Sequence, residues 1–313
     1  MKKTIILSIL ALVFGFTSAV KAEMSLSGYA EFFAGSADQS KYNGVDNQSG
    51  IDKAGLSNGQ YTRIDATYST TLDNGIEVSG FMNVSNRDCM GSMDDNCNVT
   101  NQNSINFSGN FGTISIGERF AAGAAMLSRM TASGPTAEPD GAIYTHFYTA
   151  DTTNSFGAAN EVNYANNAMK ILYASNVYSG FSFAGSYAPN TANDGLAANN
   201  VGQQVSGSSW TSFNDLLSVF GKYAMEMDGI GLELVYGVQT GNAGQIAGSN
   251  YNDLDETSYS VKVTYGNFSA DYRKNEADNS GLIKNGTAGN DEGTSVCAEY
   301  GMANIRVAAC NME

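Results

Sequence analysis

The sequence predicts an all-β fold, a transmembrane antiparallel β-barrel. Strand-length stretches alternate between apolar and polar residues. Short connections alternate with long ones along the whole chain. Past the amino-terminal segment no apolar run is long enough for a membrane-spanning helix, which leaves strands as the way to span.

The first segment, residues 1–22, reads "MKKTIILSILALVFGFTSAVKA". Two lysines precede an apolar run from Ile5 to Phe16, and small residues stand just before Glu23. This is the pattern of a secretory signal peptide. A membrane anchor is the weaker reading, because the run falls short of the roughly 20 residues that span a bilayer. Residues 23–313 are then one barrel domain, and losing Lys2, Lys3 and Lys21 takes the net charge from −15 to −18.

Thirteen strands are expected. The first covers 24–34. The next two, 61–72 and 76–85, flank Asp73-Asn74-Gly75, a tight hairpin signal. Strands 102–110 and 112–119 meet at the Asn110-Phe111-Gly112 corner, and 167–174 and 181–188 at Asn176–Gly180. Strands 215–225 and 230–239 turn at Met227–Gly229, 257–265 and 268–275 at Gly266-Asn267, and 293–300 and 304–310 at Gly301–Ala303. Between these hairpins lie the long connections 35–60, 86–101, 120–166, 189–214, 240–256 and 276–292. A soluble sandwich has no reason to keep every long loop at one end. An outer-membrane barrel does.

The faces sort in the same way. Ile64, Ala66, Tyr68 and Leu72 oppose Arg63, Asp65, Thr67 and Ser69. Tyr259, Val261, Val263 and Tyr265 oppose Ser258, Ser260, Lys262 and Thr264. Side chains alternate with period two along a strand, so one face suits lipid and the other an aqueous interior. Tyr265, Phe268, Phe181, Tyr300, Tyr223 and Phe111 fall near strand ends, where barrels carry an aromatic girdle.

Composition removes several function classes. A net charge of −18 opposes nucleic-acid binding, which needs a basic surface. His146 is the one histidine, which makes a Ser-His-Asp hydrolase or a Cys/His metal site a poor fit. The glycine-rich "GNFGTISIG" is a hairpin corner, with no helix pattern or P-loop lysine after it. The four cysteines follow an export signal, so disulfides are permitted. Cys89 and Cys97 flank "MGSMDDN" in a long connection and are expected to pair. Cys297 and Cys310 fall on neighbouring strands, and their pairing is left open.

Three motifs carry a family resemblance: "MSLSGYAEFFAG" (24–35), "NFSGNFGTISIGERF" (106–120) and "KILYASNVYSGFSFAGSYAPN" (170–190). In order and spacing the chain resembles the general bacterial porins of Gram-negative outer membranes, closest to alphaproteobacterial members. The resemblance implies sixteen strands, a third loop folded into the barrel and a homotrimer. It also implies contact with outer-membrane lipid and lipopolysaccharide, passive diffusion of ions and small hydrophilic solutes, and no cofactor or catalysis. Family members end on an amphipathic strand closing with an aromatic residue, whereas this chain ends "VAACNME". The expectation is a carboxy-terminal truncation lacking about three strands, with a miscounted strand as the alternative. A substrate-preferring channel and a plugged surface-binding barrel are the competing functions.

Candidate pore-lining residues follow from parity and from the resemblance. Arg63, Asp65, Arg119, Lys170, Lys222, Lys262, Arg273 and Arg306 sit on the inward face or at its strand ends. Arg63 and Arg119 lead, because early strands build the basic wall in the family. Within 120–166, Arg129, Glu138, Asp140 and Asp151 would line the constriction, with acids facing bases across the pore. Acids crowd the other long connections, which favours weak cation selectivity. Among them Asp253, Asp255 and Glu256 could hold Ca²⁺, although they lack the spacing of a dedicated calcium loop.

Overall fold

The structure is a computed structural model. It describes residues 23–37, 41–42, 45–46, 53–85, 103–127, 168–190, 213–243, 245–246, 249–250, 252–278, 290–302 and 305–312. The signal segment 1–22 and the Cys89/Cys97 pair lie outside the described residues.

Thirteen strands form one sheet in which each pairs with the next in sequence, all antiparallel. They are β1 (Glu23–Ala37), β2 (Lys53–Thr71), β3 (Glu77–Ser85), β4 (Asn103–Gly109), β5 (Gly112–Glu118), β6 (Met169–Ala174) and β7 (Phe181–Asn190). The second half holds β8 (Phe213–Met227), β9 (Ile230–Ala243), β10 (Leu254–Tyr265), β11 (Phe268–Asp278), β12 (Asn290–Met302) and β13 (Ile305–Met312). β1 and β13 are the two ends of the sheet order. One short helix, α1 (Ala122–Met126), follows β5. No helix among the described residues is long and apolar enough to cross a membrane, which says nothing of strands.

Every expected strand is present, and several run further than their pattern showed. β2 begins at Lys53 rather than at 61, and β8 and β9 extend by up to four residues. In these extensions the ladder continues, as in Ala34 against Asn58 and Gly35 against Ser57. Backbone pairing needs no apolar side chain, so alternation is no guide to where such a strand stops.

The hairpin turns have the expected chemistry. Asp228 and Gly229 both take positive φ, +52° and +78°, the demand of a tight two-residue hairpin. At Asp73–Gly75 the Asn74 side chain accepts the Ile76 N–H at 3.1 Å, and Gly75 takes φ +81°.

Ile64, Ile171, Phe183, Val219, Val263 and Val296 project from one face and are exposed. The expected girdle residues Phe111, Phe181, Tyr265, Phe268 and Tyr300 are exposed near the short-turn end. Tyr223 is half-buried against Phe181, with ring centroids 4.4 Å apart. On the outer parity Lys274 and Glu276 form an ion pair at 2.5 Å at the opposite end of β11. From Tyr265 to Thr257 the strand runs roughly 27 Å at about 3.4 Å per residue, which at a barrel strand's tilt of about 35–45° rises about 20 Å, most of an apolar band.

The other face is more than a polar lining. Phe213, Leu216, Phe220, Val235 and Leu254 point inward and are buried with Ala121, Ala122 and Leu127 from the third connection. Burying each large side chain contributes about 1.5–3 kcal/mol, enough to seat the start of that connection against the wall.

Candidate functional site

Two regions of the inward face carry most of the described charged side chains, and the third connection lies between them. The first region spans β2 to β5. Arg63 Nε donates to Asp65 Oδ1 at 2.6 Å, a pair two residues apart on one strand face. Arg119 follows β5 and donates from Nη1 to Asn106 Oδ1 at 3.2 Å, and Asn106 Nδ2 donates to Ser79 Oγ at 3.3 Å. Phe81 is within reach of both arginines, its ring centroid 5.7 Å from Arg63 Cζ and 5.5 Å from Arg119 Cζ.

The second region spans β8 to β12 near the short-turn end. Lys222 forms an ion pair with Glu233. Glu233 stands opposite Lys262, and Lys262 stands opposite Asp271. One rung further from the turns, Arg273 is buried between Ser260 and Ser295. Glu299, also buried, stands opposite Ser269. Bases and acids alternate across these strands, so their fields partly cancel. The inward parity predicted from sequence holds, but the wall here is mixed rather than basic.

The third connection turns inward as soon as β5 ends. Ala122 N donates to Ser186 Oγ at 3.0 Å and Gly123 N to Ser218 Oγ at 3.3 Å. Ser186 and Ser218 are direct partners across β7 and β8. The first free N–H groups of α1, which its own helix cannot satisfy, are thus taken up by the wall. The inward fold of this connection is present over residues 119–127. Arg129, Glu138, Asp140, His146 and Asp151 lie outside the described residues.

Two expectations need correction. Lys170 points inward but is buried, its ammonium donating to the carbonyls of Arg119 and of Ala168, the latter at 2.5 Å. With both of these carbonyls as acceptors, Lys170 braces the chain rather than facing open solvent. The Asp253, Asp255 and Glu256 trio does not converge. Glu256 is buried inward, accepting from Gln239 Nε2 at 3.2 Å and Ser258 Oγ at 3.3 Å. Asp255 takes the opposite strand face, and Asp253 accepts the Ala243 N–H at 2.9 Å. Alternation along one strand sends adjacent carboxylates apart.

Arg306 is in β13 opposite Gly301, and its side chain lies outside the described residues. Cys297 is disulfide-bonded. The residue opposite it in the ladder is Cys310, so the register brings together the two backbones whose pairing the spacing left open. Residues that sequence reasoning passed over are Phe81, Asn106, Glu233 and Glu299. Strand parity could have found all four, since Phe81 shares its face with Ser79 and Asn83, and Glu233 its face with Val235.

The family model for Gram-negative porins matches residues 8–310. The chain belongs to the Gram-negative porin family. Porins of this family are transport channels built as outer-membrane β-barrels, and the two-faced sheet is that architecture. An anion-selective porin from Comamonas acidovorans superposes with a TM-score of 0.57 at 13% identity, over 93% of this chain and 78% of that one. OmpF of Salmonella typhi, solved in complex with daunomycin, gives 0.54 at 13% identity over 94% and 78%. An engineered variant of the Rh. blastica porin gives 0.51 at 17% identity over 93% and 84%. At these identities the structures establish the porin fold. Comparison with curated proteins by sequence gave no match.

Proposed function

We propose that this porin forms a water-filled pore through which ions and small hydrophilic solutes diffuse passively, with a weak preference for cations. The observation that supports it is the sorting of one sheet into two faces. Ile64, Val219 and Val296 face outward and exposed, while Arg63, Asp65, Lys222, Glu233 and Lys262 share the inner face. Charges on a lipid face cost about 2–4 kcal/mol at mid-bilayer for Lys or Arg, so such sorting needs water inside. The cation preference rests on the net charge, −15 for the whole chain and −18 once Lys2, Lys3 and Lys21 leave with the signal segment, and on the acids of the long connections, which enrich cations at the mouth.

The reading includes a homotrimer in lipid and lipopolysaccharide, export by a cleaved signal peptide, no required cofactor and no catalysis. The inward charged groups would then act as a field on passing solute, not as acid and base toward a bond. A plugged surface-binding barrel is the second reading, favoured by the apolar packing of α1 against β7 to β9. Single-channel conductance in a planar bilayer separates the two. Discrete steps with a reversal potential of cation sign support the pore. Silence from inserted, folded protein supports the plug, and an anion-sign potential removes the cation preference.

A further inference from the structure

Phe81 is out of character with its strand face. Its inward neighbours on β3 are Ser79 and the buried Asn83, and its partners across the ladders are Thr67 and Ser104. The apolar clusters that hold α1 are elsewhere and do not include it. Instead the ring has a guanidinium within 6 Å of its centroid from each of two strand regions, Arg63 and Arg119. Both Cζ atoms are therefore within about 11 Å of each other. Two like charges at that range repel, and the attraction of each guanidinium to the ring face offsets the repulsion.

The two cations are not equivalent. Asp65 already neutralises much of Arg63. Arg119 has no carboxylate partner among the described residues, only the neutral amide of Asn106 and the ring. Among the described residues no acid neutralises its charge.

We propose that Phe81 is a specificity-determining residue of the pore. Its ring holds Arg63 and Arg119 together on the inner wall, and this pair is the step past which small anions, chloride and simple carboxylates, cross. The proposal rests on the channel reading above. Phe81 is a positioning residue, since it acts through the two guanidinium groups.

The test is the chloride-to-potassium permeability ratio from reversal potentials across a planar bilayer under a salt gradient. The variants are Phe81→Leu, Phe81→Trp, Arg63→Gln with Arg119→Gln, and that pair combined with Phe81→Leu. Phe81→Met is a second apolar replacement if leucine prevents insertion. Phe81→Leu is expected to lower the ratio about two- to five-fold, the scale of an exposed cation–π contact. Phe81→Trp should keep the unmodified ratio. In the background lacking both arginines, Phe81→Leu should change nothing further. An unaltered ratio in a conducting Phe81→Leu or Phe81→Met variant overturns the proposal alone. An equal drop in the arginine-free background also overturns it, because the ring would then act by shape. Absence of conductance from the unmodified chain overturns the channel reading, and this proposal with it.

Discussion

The Phe220 ring lies on Gly237, its partner across the β8–β9 ladder, so closely that a Cβ at position 237 would stand 2.2 Å from ring carbon Cγ. Both residues face inward and are buried beneath the docked third connection. The glycine is there because the ring occupies the place of its side chain. Gly237→Ala must push Phe220 into Ala122 or Leu127, an overpacking that costs typically about 1–3 kcal/mol. Gly221 is the control, since nothing lies within 4 Å of a Cβ built there. Urea unfolding from liposomes should show Gly237→Ala destabilised and Gly221→Ala unchanged within about 0.5 kcal/mol. Equal midpoints would mean the ring has a second place to go.

The assignment of faces makes a separate prediction. Val219 projects outward, four residues before the girdle residue Tyr223, and is 45% exposed. Thr67 is on the inner face of β2, half-buried, opposite Phe81. Val219→Lys should destabilise the membrane-inserted barrel by about 2–4 kcal/mol, the cost of lysine near the bilayer midplane. Thr67→Lys should leave stability nearly unchanged and alter conductance instead. Unfolding from liposomes checks the first and bilayer recordings the second. Similar losses for both would mean that the inner face is not wet.

Alternation made the sheet legible before any coordinates, because a strand between lipid and water must change character at every residue. Ile64 against Arg63 and Val263 against Lys262 are enough to orient β2 and β10. Two things were hidden. Where β2 runs back to Lys53, pairing goes on without an apolar signal, so its start was missed by eight residues. Phe220 and Leu216 share inward parity with Ser218, and apolar residues there look like noise until Ala122 and Leu127 pack with Phe220, and Ala121 with Leu216, from a connection more than 90 residues earlier in sequence. The pairing of charges was concealed for the same reason. Lys222 and Glu233 each have an ordinary place on their own strand, and their ion pair exists only across the ladder.

The docking of α1 on Ser186 and Ser218 can be loosened without touching its apolar contacts. Ser186→Ala with Ser218→Ala leaves the Ala122 and Gly123 N–H groups without their acceptors. Each lost bond should cost about 0.5–1.5 kcal/mol, more where the donor stays dry. The helix then samples undocked positions in the pore. Open-channel current noise should rise, with mean conductance altered little. Noise indistinguishable from the unmodified porin would show that the apolar packing alone fixes the connection.

Charge reversal on the inner wall tests the first charged region directly. Arg63 is half-neutralised by Asp65 at 2.6 Å, whereas Arg119 faces Asn106 and Phe81 and no carboxylate among the described residues. Arg119→Glu should therefore shift the reversal potential further toward cation preference than Arg63→Glu does. The double variant should shift it further than either, because acids would then replace both positive charges on that wall. High salt should shrink all three shifts, since screening shortens to about 3 Å at 1 M. A larger effect from Arg63→Glu would mean that Asp65 is not its effective partner in the conducting state. Three unchanged potentials would remove both arginines from the path of the ions.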